Sequence, residues 1–424
     1  MSALIDELRE RGLLEQITSE PAFRAALEEG EVPLYIGYDP TAESLHLGNL
    51  IPIMLMVHFQ RAGHSVVGVI GGATGSIGDP SGKDTERPLQ TPDVIEKNSA
   101  SIRSQLERFL DFEGEHAAVL LNNADWIGPM TFIEWLREVG KHFTVNYMIA
   151  KESVKRRLEQ RDQGITFTEF SYMMLQAYDF YHLYETRGVR AQAGGNDQWG
   201  NITAGVDLVH KKSGKQVFGL TAPLLTTASG DKFGKSAGNA VWLDPELTSA
   251  YEFYQYWMQT EDADVGRWLK VFTLLPLDEI ATIEAEHAEA PFRRQGQKRL
   301  AAEVTRVVHG QAGVDLAERA SKVLFGGTME GLTARELSAI FADVPSSERE
   351  RSELSAGVPV IDLFSETLCA SKSEARRLLG QGGVYINNER IEDLETLVKE
   401  GHLATPDSMV LRAGKKKYFV VKYA

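Results

Sequence analysis

The chain has 424 residues, of which 43% are hydrophobic and 25% charged, as expected for a soluble globular protein of two or three domains. Its formal net charge of −15 argues against nonspecific coating of nucleic acid, and no apolar run reaches the ~18–20 residues of a membrane span. A single cysteine excludes an internal disulfide and a cysteine-based zinc site, and the N-terminal segment lacks the features of a signal or transit peptide, so we expect a cytoplasmic protein without a structural metal.

A possible phosphate site lies early in the chain, where a predicted strand leads into a predicted helix. The apolar run at residues 33–38 predicts the strand, and the longer apolar segment at residues 50–59 predicts the helix. The stretch His46-Leu47-Gly48-Asn49 then lies at the helix N-terminus, where free backbone N–H groups favour phosphate. Gly48 allows a ligand to approach the backbone, and His46 can donate a hydrogen bond to it. Taken alone, four such residues more often form an ordinary turn.

A glycine-rich segment, residues 71–83, follows a second predicted strand at residues 65–71. It does not match a P-loop, because Ile77 occupies a required glycine position and Asp84 stands where Ser or Thr would hold magnesium. Its glycine spacing also fails the dinucleotide-binding fingerprint. We therefore expect these glycines to let the backbone lie close to a ligand.

Further strands are predicted at residues 117–121, 189–193 and 216–220, with helices between them. Such alternation predicts an α/β, Rossmann-like parallel-sheet catalytic domain. Four polar loops, around His46, Asp79, Asp197 and Lys232, each follow a predicted strand. Ligands of open α/β sheets bind beyond the carboxyl ends of the strands, so we expect these loops to form one site.

A predicted helix at residues 167–183 carries a polar stripe made of Tyr172, Gln176 and Asp179. At ~100° per residue these three positions fall on one face, among aromatic and apolar neighbours. Polar groups on a buried face need partners. The partners are either a bound ligand or a structural hydrogen-bond network, and the pattern alone leaves both open.

The chain changes character from Pro245 onward. Residues 247–330 predict an all-helical domain, residues 331–356 include a polar stretch typical of a linker, and residues 357–424 predict a small α+β domain with two helices and later strands. Residues 1–238 form the predicted catalytic domain, with a helical insert at about 130–160.

Two separated stretches together resemble the signature motifs of class I aminoacyl-tRNA synthetases. These are His46-Leu47-Gly48-Asn49 and the loop Asp231-Lys232-Phe233-Gly234-Lys235-Ser236, where the family usually has His-x-Gly-His and Lys-x-x-Lys-Ser. Asn49 departs from the second histidine, so it can donate a hydrogen bond but its charge does not change with pH. The alternative for the lysine loop is an ordinary solvated surface loop.

Several longer matches narrow the resemblance to the bacterial tyrosyl-tRNA synthetase family. They lie at residues 35–41, 71–82, 167–172, 176–179 and 197–201. Residues 371–379 and 382–387 resemble the ribosomal-protein-type RNA-binding domain that ends many bacterial synthetases. The alternative for the basic segment is a solvated amphipathic helix.

The resemblance implies ATP-dependent ligation of L-tyrosine to tRNA(Tyr), by tyrosyl-adenylate formation with release of pyrophosphate and then transfer to the tRNA 3′ end. ATP would be a substrate that arrives with Mg²⁺, and no tightly bound metal or organic cofactor is implied. The resemblance also implies a homodimer with the insert at about 130–160 as its interface. Residues 247–330 would then contact the anticodon stem.

The resemblance further implies a role for each site residue. Tyr35 and Asp179 would bind the phenolic hydroxyl of tyrosine, with Asp79, Tyr172 and Gln176 at its ammonium group and Gln198 near its carboxylate. The implied ATP-binding residues are Gly37, Asp39, His46, Gly48, Asn49, Asp197, Lys232 and Lys235. The implied catalytic residues, which act by position and charge, are Thr41, His46, Asn49, Lys83, Arg87, Lys232 and Lys235. The implied tRNA-binding residues are Lys372, Arg376 and Arg377.

Two rival functions remain at this point. A tryptophan-specific ligase of the same fold is disfavoured by Tyr35 and Asp179, because an indole offers one donor and no acceptor. A noncatalytic RNA-binding protein with a degenerate synthetase body is disfavoured by the intact Lys232 and Lys235 pair, His46 and Asp79.

Overall fold

The computed structural model describes residues 3–81, 89–159, 164–228, 230, 233–236, 239–342, 344–415 and 417–424. The chain divides into two compact units. The first contains residues 1–248 and 256–308, and the second contains residues 249–255 and 309–424. No helix of the described residues combines the length and the apolar content needed to cross a membrane.

Strands and helices alternate in the first part of the chain, and short strands dominate its end. The strands are β1 Gln16–Ile17, β2 Leu34–Tyr38, β3 Val66–Ile70, β4 Val119–Asn122, β5 Ala191–Gly195, β6 Phe218–Ala222, β7 Lys235–Ser236, β8 Asn239–Ala240, β9 Ser346–Arg349, β10 Val358–Pro359, β11 Val384–Ile386, β12 Glu389–Arg390, β13 Leu397–Val398, β14 Ser408–Ala413 and β15 Lys417–Tyr423.

The α-helices are α1 Ala3–Glu10, α2 Glu20–Glu29, α3 Leu47–Arg61, α4 Thr74–Ile77, α5 Pro92–Leu106, α6 Ala124–Ile127, α7 Phe132–Glu138, α8 Val145–Ile149, α9 Glu152–Glu159, α10 Phe167–Arg187, α11 Trp199–Ser213, α12 Ala250–Met258, α13 Val265–Phe272, α14 Leu277–Glu289, α15 Gln295–Leu324, α16 Ala334–Ile340, α17 Ser352–Ala356, α18 Val360–Thr367 and α19 Lys372–Gly380. Short 3-10 helices lie at Gly140–His142, Asn196–Gln198, Asp262–Asp264, Pro291–Arg293 and Glu400–His402.

The first unit is built on a six-stranded sheet of order β1-β6-β5-β2-β3-β4. Strands β2 to β6 pair in parallel, and β3 and β6 are buried along their whole length. The predicted parallel α/β sheet is therefore confirmed. Strand β1 was not predicted: it is two residues long, too short for a periodic signal, and pairs antiparallel with β6, about 200 residues later.

The predicted helical insert at about 130–160 consists of several short helices, α7, α8 and α9, with a 3-10 turn between the first two. Two threonines begin new helices within it. Thr131 forms a capping box with Glu134, and the hydroxyl of Thr144 accepts from the N–H of Tyr147 at 3.3 Å. Each cap satisfies a free backbone N–H group at the start of a new helix. This explains why the segment predicted as one helical insert forms several short helices.

The boundary between the two units falls inside α15, beside Gly310, whose φ of 69° and ψ of −178° interrupt the helix. In the described part of residues 247–330, every element is helical, as predicted. The second unit contains a five-stranded sheet of order β12-β11-β14-β15-β9, with α18 and α19 packed on its core.

The prediction of a linker is wrong for the polar stretch after residue 344. Strand β9 in this stretch pairs in parallel with β15, placing Ser346 opposite Val420, and α17 follows it. The polar composition misled because β9 is an edge strand with only exposed and half-buried side chains. Its backbone hydrogen bonds, which composition does not reveal, attach it to the sheet.

Candidate active site

The site lies at the carboxyl ends of β2, β3 and β5, where the sheet leaves room for a ligand. Gly37 is the exposed residue of the otherwise buried strand β2, and no atom lies within 4 Å of the position that its Cβ would occupy. The chain then turns away at Asp39. A glycine facing open space in a central strand provides a floor on which a flat ligand can lie against the backbone.

Asp39 lies directly after β2 and accepts two short hydrogen bonds. The Tyr172 hydroxyl donates to its Oδ2 at 2.7 Å, and the Thr74 hydroxyl donates to its Oδ1 at 2.6 Å. Burial, followed by the charge of Asp39, raises the pKa of Tyr172 well above its ordinary value, so this phenol stays protonated and acts as a donor. Two residues predicted for different substrates, Asp39 and Tyr172, are therefore in direct contact.

Asp179 is a buried carboxylate held by two donors. The indole Nε1 of Trp126 donates to its Oδ1 at 2.8 Å, and the amide of Asn123 donates to its Oδ2 at 3.0 Å. Burial raises the pKa of Asp179 to about 7, and these two hydrogen bonds counteract part of that rise. The two hydrogen bonds thus favour the charged form of this buried group, and a charged carboxylate is a strong acceptor for a ligand hydroxyl.

Tyr35, on β2, is almost fully buried, and its ring packs against Phe180 at a centroid distance of 5.4 Å. Burial and the nearby charge of Asp179 raise its pKa, so the phenol is neutral. Its hydroxyl donates to the carbonyl oxygen of Gln176 at 3.4 Å, which is a long bond. Tyr35 and Asp179 are therefore both buried, and they are close enough for the charge of Asp179 to raise the pKa of Tyr35.

Asn123 and Trp126 were not among the predicted site residues. Asn123 also accepts from the N–H of Ala73 at 2.8 Å, and Asn122 accepts from the N–H of Gly72 at 3.2 Å. This asparagine pair therefore fixes the glycine-rich segment as well as the carboxylate. The available signal was a polar pair at the end of the strand at 117–121, the same signal that marked the other four loops.

Asp79 forms a second polar cluster in the loop after α4. Its Oδ2 accepts from the Gln198 amide at 2.6 Å, and its Oδ1 accepts from the N–H of Ser81 at 3.0 Å. Asn201, which is buried, reaches Asp79 Oδ1 at 3.4 Å and Gln198 Oε1 at 3.1 Å with the same amide nitrogen. Asp79 and Gln198 thus lie together, and Asn201 is a further member of the cluster that had been assigned no role.

His46 and Asn49 cap α3. The ring Nδ1 of His46 accepts from the N–H of Gly48 at 3.0 Å, and Asn49 Oδ1 accepts from the N–H of His46 at 3.0 Å. Because Nδ1 is an acceptor here, the proton of a neutral ring resides on Nε2, which leaves that nitrogen as the donor. A Cβ on Gly48 would lie 2.9 Å from the His46 ring, so this glycine is needed by the cap itself.

The two signature stretches lie side by side. The N–H of Leu47 donates to the carbonyl of Val241 at 2.8 Å, and the N–H of Val241 donates to the carbonyl of Gly234 at 3.1 Å. Gly234 has a φ of 83°. A Cβ placed on Gly234 would lie 3.6 Å from the backbone nitrogen of Gly48. Phe233 anchors this loop, stacked on Phe272 at 5.1 Å.

The side chains of the four predicted cationic residues lie outside the part of the chain that the structure describes. Lys83, Arg87 and Lys232 lie outside the described residues. Lys235 belongs to β7, opposite Ala240 of β8, and only its backbone is described. Thr41 and Asp197 are both exposed at the edge of the site.

The predicted tRNA-binding residues Lys372, Arg376 and Arg377 are exposed on α19 in the second unit. Lys372 forms an ion pair with Asp362 at 2.7 Å. The opposite side of α19 buries Ala375 and Leu379 in the core of this unit, so the helix is amphipathic with its basic side outward.

Family models match almost the whole chain. The model of class I tRNA synthetases (W and Y) matches residues 27–326, and the model of the tyrosine–tRNA ligase SYY-like C-terminal domain matches residues 336–421. Tyrosine–tRNA ligase 2 of Enterococcus faecalis is 51% identical over 424 residues, covering 100% of both chains. Tyrosine–tRNA ligase of Geobacillus stearothermophilus is also 51% identical, covering 99% of this chain and 100% of the relative.

Solved structures give the same picture at longer range. The C-terminally truncated mitochondrial tyrosyl-tRNA synthetase of Aspergillus nidulans has a TM-score of 0.70 and 32% identity, covering 77% of this chain and 95% of that one. A tryptophanyl-tRNA synthetase from Encephalitozoon cuniculi has a TM-score of 0.53 at 13% identity, covering 73% of this chain and 87% of that one. The latter similarity shows a common fold and does not bear on the amino acid used.

Proposed function

We propose that this chain, which belongs to the tyrosine–tRNA ligase family of class I tRNA synthetases, joins L-tyrosine to tRNA(Tyr) with ATP as the second substrate. Tyrosine and ATP first form tyrosyl-adenylate and pyrophosphate, and the tyrosyl group then passes to the tRNA 3′ end with release of AMP. The observation that carries this proposal is the buried pair of Tyr35 and Asp179, in a chain that matches tyrosine–tRNA ligases along its full length.

Recognition of the phenolic hydroxyl is assigned to Tyr35 and Asp179. A phenol both donates and accepts, so it can donate to the Asp179 carboxylate and accept from the Tyr35 hydroxyl. Tryptophan in the same pocket would place a single indole donor there and leave the Tyr35 hydroxyl without a ligand acceptor. The raised pKa of Tyr35 supports this assignment, because a neutral phenol can donate.

The amino and carboxylate groups of the substrate are assigned to the second polar cluster. Asp79 supplies a negative charge for the ammonium group, with Tyr172 and Gln176 on α10 beside it, and Gln198 lies near the carboxylate. The hydrogen bond between Gln198 and Asp79, at 2.6 Å, supports a common location for these roles.

The chemical step needs no nucleophile from the protein. The tyrosine carboxylate oxygen attacks the α-phosphorus of ATP, the bond to the bridging oxygen breaks, and pyrophosphate leaves. Thr41 and His46, with the cationic side chains of Lys83, Arg87, Lys232 and Lys235, are assigned to the phosphates, where they act through position and charge. Gly37, Asp39, Asn49 and Asp197 are assigned to the nucleoside, and Gly48 allows ATP to approach the backbone.

Mg²⁺ is proposed to enter with ATP. Among the described residues, no group of three or more His, Cys, Asp or Glu side chains is arranged to hold a metal ion. Mg²⁺ retains several waters and binds substrate phosphates readily, so the phosphate oxygens of ATP and water can supply its ligands. When bound, it supplies positive charge to the phosphates.

A homodimer is proposed, with the insert at about 130–160 as its interface. This insert exposes large apolar side chains that a monomer would leave in water: Phe132, Ile133, Leu136, Val145 and Ile149. Replacing Phe132 and Ile133 by Glu should yield monomers in sedimentation velocity. Phe292 is similarly exposed outside the insert, so Phe292→Glu is the matched control and should leave the dimer intact. A dimer that survives the first change would contradict this interface.

The basic side of α19 is proposed to contact tRNA through Lys372, Arg376 and Arg377, with residues 247–330 at the anticodon stem. The proposed location is the cytoplasm, where tRNA(Tyr) is charged for translation.

The proposed reaction is tested by charging tRNA(Tyr) with radiolabelled amino acids. Labelled tyrosine should become attached to tRNA in an ATP-dependent manner, and labelled tryptophan should not. The control is a tRNA(Trp) transcript, which should accept neither. Attachment of tryptophan, or no attachment of tyrosine by folded protein, would refute the proposal.

A further inference from the structure

The edge strand β1 contacts the active-site loop through its side chains. Gln16 Nε2 donates to Asn196 Oδ1 at 2.7 Å, and Asn196 Nδ2 donates to Oε1 of the preceding residue, Glu15, at 3.1 Å. Asn196 thus uses both ends of its amide on two consecutive residues of the N-terminal segment. The two bonds together fix which way the amide points.

Asn196 occupies a critical position in the loop that follows β5. It is the first residue of the 3-10 turn Asn196–Gln198, which contains the proposed nucleoside residue Asp197 and the proposed substrate residue Gln198. Gln198 in turn donates to Asp79 at 2.6 Å. A continuous chain of bonded residues therefore connects β1 to the carboxylate assigned to the substrate ammonium group.

The loop begins where the pairing of β5 with β6 ends. Gly194 and Gly195 precede Asn196, and a Cβ on Gly195 would lie 2.7 Å from Oδ1 of Asp197. Both glycines belong to β5 and pair with β6, and Gly195 has an extended backbone with a φ of −68°. The pairing ends at Gly195, so the turn that begins at Asn196 lies beyond the sheet. The side-chain bonds of Asn196 to Glu15 and Gln16 connect this turn to the N-terminal segment.

Strand β1 is itself firmly attached. The N–H of Glu15 donates to the carbonyl of Thr221 at 2.7 Å, and the N–H of Thr18 donates to the carbonyl of Gly219 at 3.0 Å. The N–H of Gly219 donates to the Thr18 hydroxyl at 3.1 Å. These bonds fix β1 to β6, which neighbours β5 in the sheet, so the anchor and the loop share one rigid support.

We propose that Glu15, Gln16 and Asn196 are positioning residues that hold the turn carrying Asp197 and Gln198 in its ATP- and tyrosine-binding geometry. This inference rests on the function proposed above. None of the three is assigned to a substrate. Their effect passes through the backbone of the 3-10 turn.

Because the Asn196 amide donates to Glu15 and accepts from Gln16, the inference can be tested by exchanging the donor and the acceptor between residues 196 and 15. Asn196→Asp keeps the acceptor for Gln16 but places a carboxylate oxygen against the carboxylate of Glu15. Adding Glu15→Gln restores a complementary pair, because the new amide can donate to the aspartate. Glu15→Gln alone retains an acceptor for Asn196, since its amide oxygen replaces the carboxylate oxygen.

The experiment compares the wild type, both single variants and the double variant in tyrosine-dependent ATP–pyrophosphate exchange, with active sites counted by the burst of adenylate formation. Asn196→Asp should lower kcat/KM for ATP at least tenfold, mainly through KM. Glu15→Gln should stay within threefold of wild type, and the double variant should recover to within threefold. The preference for tyrosine over phenylalanine should be unchanged in all four, because the Tyr35 and Asp179 pocket is separate.

Failure of Glu15→Gln to rescue Asn196→Asp would overturn the inference, because the new charge would then act on ATP directly. Equal activity of Asn196→Asp and wild type would also overturn it. If Asn196→Asp does not fold, Gln16→Ala carries the test, and a KM for ATP within twofold of wild type refutes the inference. A wild type without exchange activity would instead refute the proposed function.

Discussion

Asp179→Asn should make the protein more stable at alkaline pH while impairing its choice of amino acid. The change replaces a buried carboxylate by an amide of the same shape. In the folded protein, burial raises the pKa of this carboxyl group from 3.8 to about 7. Between these values the folded state retains a proton that the unfolded state has lost. The free energy of unfolding therefore falls as pH rises from about 4 to 7, and the penalty is complete above pH 7.

The size of this penalty follows from the shift in pKa. At about 1.4 kcal/mol per pH unit, the rise corresponds to about 4 kcal/mol at pH 8. Asparagine removes the charge but can accept from only one of the two donors, Trp126 and Asn123. Leaving the other donor unpaired costs about 1–3 kcal/mol. Asp179→Asn should thus be about 1–3 kcal/mol more stable than wild type at pH 8.

The assay is thermal unfolding at pH 5 and pH 8. The variant should melt at least about 2 °C above wild type at pH 8, and this advantage should vanish or reverse at pH 5, where most of the penalty is absent. Asp93→Asn, which changes an exposed carboxylate on α5, is the control for a general effect of net charge. A variant that melts below wild type at pH 8 would refute the argument that burial of the Asp179 charge is destabilising.

The same variant should discriminate less well between amino acids. Phenylalanine has no hydroxyl, so in wild type it loses the hydrogen bond to Asp179 and the hydrogen bond from Tyr35, at about 1–3 kcal/mol each. Together they correspond to a preference for tyrosine of about 30-fold to 10⁴-fold in kcat/KM. Asp179→Asn should reduce the measured preference at least about tenfold. An unchanged preference would mean that the hydroxyl is recognised elsewhere.

Three further predictions concern other parts of the molecule. Trp126→Phe removes a hydrogen bond that lowers the pKa of Asp179, so the pH at which tyrosine binding is half-maximal should rise by about one unit. Equilibrium dialysis from pH 5.5 to 9 measures this pH, and an unshifted profile would contradict the role of this bond. Lys235→Ala should raise the barrier to adenylate formation by about 2–4 kcal/mol while leaving the dissociation constant for tyrosine nearly normal. A rate of adenylate formation within about threefold of wild type, measured by rapid quench, would exclude a role of Lys235 in the transition state. A chain that ends at Gly327 should retain pyrophosphate exchange and lose tRNA charging, because the described residues assigned to tyrosine lie in the first unit. Normal tRNA charging by this chain would show that the removed part is dispensable.

Much of the fold was predictable because it depends on local pattern. The runs that became β2, β3 and β6 are almost continuously apolar, as buried parallel strands require, and helix α10 carries its polar stripe at helical spacing. Strands β1 and β9 were missed for the opposite reason. Both are short edge strands, and what attaches them is backbone pairing with partners distant in the chain.

The sequence predicts members of the candidate site, but it does not reveal the hydrogen bonds between them. Loops after strands gave His46, Asp79 and Asp197, and the resemblance supplied their roles. The bond between Tyr172 and Asp39 joins residues 133 positions apart, and no spacing in the sequence reveals it. Trp126 and Asn196 were missed because each acts on another protein side chain, and such a residue has no motif of its own.

The central claim is that this site activates tyrosine, and amino-acid-dependent exchange of labelled pyrophosphate into ATP tests it most directly. The purified protein should support exchange with tyrosine, weakly with phenylalanine and not with tryptophan, and the tyrosine signal should fall sharply in Asp79→Ala. Exchange that is faster with tryptophan than with tyrosine, or that persists in Asp79→Ala, would contradict the account.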